Sequence, residues 1–217
     1  MKYLQLHVLN ANDEMSSSEI LSPKVEAAEE YAVDKMGLKH KIDLALTNLM
    51  AGLLIPEDQV GGRTYASDFI MMDVERAEFL TEMLVHELAH AIRWQENPEY
   101  IQKLFDDLIL EGLGVAVEAE YAKNSNEQSF FIRTMMERSD AENQQVLRQL
   151  KAELWDARYD NYRIFIEGEG LPRWAGYSLG YYLVQQYLAK TNKTIFEILV
   201  TEYAEFEDIL REMIEGA

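Results

Sequence analysis

The chain has 217 residues, 39 of them acidic and 20 basic, for a formal net charge of −19 before histidine. Such a charge repels polyanions, so neither nucleic acid nor an anionic membrane surface is an expected partner, since both are bound through Lys and Arg. There is no cysteine, which excludes disulfides, thiolate metal sites and thiol nucleophiles and leaves any metal to His, Asp and Glu.

The opening segment MKYLQLHVLN is too short, and too interrupted by Gln5, His7 and Asn10, to be the apolar core of a signal peptide. No stretch approaches the roughly 18 apolar residues of a membrane span, so a cytoplasmic setting is expected. Leu4, Leu6 and Val8 alternate with Gln5 and His7 as in a half-buried strand with His7 on its polar face. Ser22 before Pro23 reads as an N-cap with proline in the first turn of an amphipathic helix that stops at Gly37. Residues 42–46 and 67–74 read as two more strands, separated by the turn-rich stretch IPEDQVGGRT.

After Val74 the apolar spacing is helical, over segments near 75–94, 99–121, 127–137, 140–165, 177–190 and 195–213. Ser139 with Glu142, and Thr194 with Glu197, have the capping-box spacing. The polar breaks at 122–128 and 167–173 read as loops too short for an interdomain linker. The expectation is an α+β fold in a single domain over 1–217, with a small sheet within about 1–75 packed on a mainly helical remainder over about 76–217.

The most informative segment is LTEMLVHELAHAIRWQ. At 100° per residue, His86 and His90 stand about 40° apart around a helix and about 6 Å apart along it, so two imidazoles can converge on one cation. Glu87, at the border of the same face, can reach a water on that cation, the position of a general base rather than of a ligand. Composition alone gives a chance H-E-x-x-H in such a chain about one time in a hundred. Two histidines and a glutamate on a helix with a Leu80, Leu84, Leu88 and Ala91 stripe would be costly to bury without a metal or matched partners.

Catalytic zinc takes three protein ligands and keeps a fourth position for water. Glu111 interrupts the apolar run of LFDDLILEGLGVAVEAEYA and is the preferred third ligand, with Glu118 and Asp107 as rivals along the same segment. Gly112 and Gly114 could let that helix approach the His86 helix closely.

The H-E-x-x-H helix followed some twenty residues later by a ligand Glu resembles the gluzincin, or thermolysin-like, zinc metallopeptidases. GGRTYASDFIMMDV, LILEGLGV and LPRWAGYSLGYYLV together resemble, more narrowly, the predicted Zn-dependent protease family that includes bacterial YjaZ, over roughly residues 40–200. The resemblance implies zinc on His86, His90 and Glu111, with Glu87 as base, a zincin-like body and a peptide or protein substrate. It also implies a donor for the oxyanion, for which Tyr177 is chosen over Tyr181; either tyrosine could equally be a packed core aromatic. Residues 64–71 would be the wall along which an extended peptide pairs. Thermolysin-like enzymes place an Asp four residues after the ligand Glu; here that position is Val115, so the support for the first histidine must come from Asp107, Glu118 or a backbone carbonyl.

A di-iron carboxylate site would need a second Glu-x-x-His, and none of His7, His40 and His86 has a Glu three residues before it. Two readings stand beside the peptidase: a zinc-bearing scaffold that binds peptides without cleaving them, and a metal hydrolase of a non-peptide amide or ester.

Overall fold

The computed structural model describes residues 1–9, 17–48, 55–125, 128–168 and 170–217. Asn126, Glu127 and Glu169, which belong to the two breaks read as loops and to the start of one expected helix, lie outside them. The fold is α+β. It comprises two compact units, one of residues 1–98 with 117–133, the other of residues 99–116 with 134–217.

The first unit is built on a four-stranded sheet of β1 (Leu4–Val8), β2 (Ile42–Thr47), β3 (Val60–Ala66) and β4 (Phe69–Val74), in the order β1-β2-β4-β3. β1 and β2 are parallel, as are β2 and β4, while β3 runs antiparallel to β4. A parallel neighbour requires a crossover, which α1 (Ser18–Tyr31) supplies between β1 and β2. The helix begins at Ser18 with Ser17 at its N-cap, so Pro23 sits inside it and not in its first turn as the Ser22-Pro23 pair suggested. It ends through a π-helical turn, Ala32–Met36, at Gly37, whose φ of 75° gives the expected left-handed stop.

The stretch 55–64, expected as a turn, contains most of β3. Gly61 and Gly62 pair with Asp73 and Met72 in the β4 ladder. Tandem glycines signal a turn in sequence, whereas here Gly62 is needed for close approach of a neighbouring side chain. β4 therefore lies inside the sheet, and of the 64–71 wall only the β3 portion has an edge. A bulge between Thr64 and Ala66 precedes the Ser67-Asp68 turn. Ile42, Leu44, Leu46, Ile70, Met72, Val74 and Val60 form the buried side of the sheet, and β3 and β4 pack there on α2 (Leu80–Glu96).

Every residue of α2 from Leu80 to Arg93 is buried. Helix was expected from 75, but the amides of Glu75 and Arg76 donate to the Gln59 carbonyl at 3.0 and 3.1 Å, which holds these residues at the sheet's end. At its other end Gln95 Nε2 donates to the Ser67 carbonyl in the β3–β4 turn at 2.6 Å. α3 (Leu104–Ala122) is one continuous helix whose last residues, from Val117, belong to the first unit. Asp58 accepts from the amides of Phe130 and Phe131 at 2.7 and 2.9 Å and so caps α4 (Phe130–Glu137).

In the second unit, α5 (Asp140–Leu150) and the short α7 (Ile195–Ile198) carry the two expected capping boxes. The helix expected over 140–165 stops at Leu150 and resumes only as a π-helical turn, Tyr162–Ile166. The chain departs there to offer the Leu154 and Asp156 carbonyls to the amides of Phe105 and Leu104 at 2.9 and 3.0 Å, satisfying the first turn of α3. The segment expected over 195–213 likewise divides, because the Tyr203 amide that opens α8 (Tyr203–Gly216) donates to Glu99 Oε2 at 2.9 Å.

α6 (Ala175–Thr191) packs on α5 and α8. Gly112 of α3 meets Gly180 of α6, backbone against backbone, with no room for a Cβ on either; the close approach that Gly112 permits is to α6. Trp174, at φ 58° before α6, is buried beneath the guanidinium of Arg173 and anchors the preceding loop. Gly112→Ala should cost about 1–3 kcal/mol by overpacking this crossing, read as a lowered urea midpoint; Gly216→Ala, with open space around it, is the control that should not move it.

Candidate metal centre

The two helices that carry the sequence motif also carry its partners. On α2, His86 and His90 are 3% and 6% exposed. Their rings meet edge to face, with centroids 4.7 Å apart and planes at 81°, as side chains four residues apart on one helix face do. Glu111 comes from α3, and ligand atoms of His86, His90 and Glu111 lie within 4.8 Å of one another. At a tetrahedral site with bonds of about 2.0–2.2 Å, ligand atoms stand about 3.4 Å apart, so the three side chains would draw in by about an ångström around a bound cation.

The rivals to Glu111 are otherwise engaged. Glu118, fully buried, places Oε2 3.0 Å from His86 Nδ1. Asp107 accepts from Tyr159 Oη at 2.7 Å and Asn161 Nδ2 at 3.1 Å. Glu118 and Glu111 are seven residues apart on one helix, about 20° apart in azimuth and about 10.5 Å along the axis. Glu118 thus takes the supporting position that Val115 cannot fill. A carboxylate on Nδ1 fixes the ring and turns Nε2 outward as the donor.

The electrostatics fit a cation. Burial pushes the Glu118 carboxyl above the usual range, and the hydrogen bond from His86 draws it back. A cation held by His86 through the ring's other nitrogen would supply the positive charge that so deep a carboxylate requires. Behind it, burial and then the Glu118 charge push Glu82 up to about 7, while its Oε1 accepts from the Ser129 amide at 3.1 Å.

Glu87 follows His86 on α2 and is 5% exposed. Its carboxylate meets β3, where Thr64 Oγ1 donates to Oε2 at 2.8 Å. Sequence reasoning gave Thr64 only a place in the 64–71 wall and assigned no role to Gly62 opposite Met72; the GGRTY segment, upstream of the motif, was the available signal. The other two histidines stand apart and are exposed: His7 Nε2 lies 2.8 Å from Asp43 Oδ1, on the polar side of β1 as expected, and His40 Nε2 lies 3.7 Å from Glu96 Oε1. Tyr177, in the first turn of α6, stands edge-on to Phe165 with centroids 5.4 Å apart.

A family model described as "Predicted Zn-dependent protease (DUF2268)" matches residues 24–208. The chain belongs to that family. Comparison with curated proteins and comparison with solved structures each gave no match. The family's description and the His-His-Glu cluster together make zinc the cofactor. No helix among the described residues is long and apolar enough to cross a membrane.

The purified protein should carry about one zinc by elemental analysis. His86→Ala and Glu111→Ala should lose it, Asp107→Ala should keep it, and Glu118→Gln should weaken affinity about 10–100-fold; zinc retained by Glu111→Ala would remove that residue from the ligand set. A second expectation concerns pH. Because folding raises Glu82 from 4.5 to about 7, the stability tied to its proton is complete below about pH 4.5 and is lost as pH rises through about 7. Glu82→Gln, which preserves an acceptor for Ser129, should raise the melting temperature by about 2–4 °C at pH 8 and leave it unchanged at pH 4. Equal melting curves of the two proteins at pH 8 would contradict this.

Proposed function

We propose that the chain is a zinc metallopeptidase of gluzincin type that hydrolyses peptide bonds, with His86, His90 and Glu111 as ligands and Glu87 as general base. The observation that carries this reading is a His-His-Glu cluster whose first histidine is followed in sequence by a buried carboxylate bonded to an edge strand. Bound there, zinc supplies a Lewis acid that polarises a carbonyl and brings the pKa of water towards about 7.

The chain's own residues do the rest. Glu87 accepts a proton from the attacking water as its oxygen bonds to the scissile carbonyl carbon. The same carboxyl then gives that proton to the departing amine, so one water is consumed and an acid and an amine leave. Burial of Glu87 and the two imidazoles keeps bulk water from competing for these bonds. Tyr177 is the donor assigned to the oxyanion, with Tyr181 one turn on as its rival. Along β3 the backbone edge can take an extended peptide as an added strand, which places a peptide or protein among the substrates.

The assignment of the base is tested by Glu87→Gln, which keeps size and hydrogen bonding but not basicity. Zinc content should equal wild type, and cleavage in a mixed-peptide screen should fall by at least about 100-fold. Full activity in this variant would falsify the assignment. A zinc-loaded wild-type protein that cleaves no peptide would favour the scaffold or the non-peptide amide or ester hydrolase instead.

A further inference from the structure

Helix α2 fixes where Glu87 starts, but the direction of its carboxylate is set from the edge strand. Thr64 Oγ1 lies 2.8 Å from Glu87 Oε2 and 2.9 Å from the Glu87 carbonyl oxygen. A hydroxyl has one proton to donate. Of the two acceptors the side-chain oxygen of Glu87 is the nearer, at 2.8 against 2.9 Å, and takes it. Thr64 is 8% exposed and Glu87 5%, so the bond forms where solvent screens it little.

Two residues earlier, on the same side of β3, Gly62 makes room for the result. A Cβ at Gly62 would stand 2.6 Å from Glu87 Cγ, 2.9 Å from Glu87 Oε1 and 2.6 Å from Met72 Sδ, whereas one at Gly61 would meet nothing within 4 Å. The strand itself is held by its pairing, Gly62 with Met72 and Thr64 with Ile70. The bulge follows Thr64 directly, a device that re-aims side chains next to active sites.

We infer that Thr64 is a positioning residue for Glu87 and that Gly62 is the clearance which lets the carboxylate lie in that position. Edge strand β3 thus aims the base with one side of its residues, while among the described residues no further strand pairs with its outer edge. This rests on Glu87 acting as the base.

The test compares Thr64→Val, Thr64→Ser, Gly62→Ala and Gly61→Ala as zinc-loaded full-length proteins. Zinc content should be the same in all four. Thr64→Val keeps the shape but not the donor, and kcat should fall about 10–100-fold with KM within about threefold of wild type. Thr64→Ser should recover kcat to within about threefold. Gly62→Ala reaches Glu87 from the other side without touching the hydroxyl, so it stands in if Thr64→Val does not fold. In crystal structures the Glu87 carboxylate should be displaced in Thr64→Val and Gly62→Ala and unmoved in Gly61→Ala.

Glu87 unmoved in both displaced-class variants, or a Thr64→Val kcat within twofold of wild type, would overturn the inference. Those structures are readable even for an inactive protein. A wild type that cleaves nothing overturns the function, and an unmoved Glu87 overturns the positioning.

Discussion

The bond between Glu118 and His86 is the contact around which the first unit is organised. Both side chains are out of water, and neither could be there alone: a carboxylate with no solvent needs positive charge, and an imidazole needs its tautomer fixed before it can donate to a metal. The pair meets the second requirement only while α2 and α3 stay in register, and leaves the first to a cation that would bind on the ring's other side. That explains why α2 is buried over nearly its whole length, with β3 and β4 against it, and why its final turn is tied to the β3–β4 turn through Gln95.

Much of the centre was legible because its chemistry leaves a local trace. Histidines four apart with an intervening glutamate define one helix face, and Glu111 announced itself as an acid within an apolar run. The support for His86 was harder to read. Positions four and seven residues after Glu111 both fall near its side of the helix, so periodicity offers Val115 and Glu118 equally; only side-chain chemistry, and then the 3.0 Å approach of Glu118, separates them. Glu118 was also entertained as a ligand, since a buried acid beside a metal motif looks the same in sequence whether it touches the metal or the imidazole behind it.

The elements that escaped sequence reasoning were shaped by partners far along the chain. β3 was hidden by Gly61 and Gly62, which weaken the strand signal, although one of them is glycine for the sake of a side chain 25 residues later. The breaks after Leu150 and before Tyr203 contain no proline or glycine. They occur because Leu154, Asp156 and Glu99 are needed at the N-termini of other helices. Capping boxes, which are complete within four residues, were read correctly, and so was the Gly37 stop. Locality of the determining interaction separates the two groups.

Because Glu111 and Glu118 ride on a single uninterrupted helix, their mutual geometry tolerates no change in the number of residues between them. One inserted residue would swing either carboxylate about 100° away from the other. The stretch from His90 to Leu104 is held by separate ties instead, Gln95 to the Ser67 carbonyl and Glu99 to the Tyr203 amide. Those ties each depend on one residue, whereas the heptad from Glu111 to Glu118 has to be inherited as a unit of fixed length.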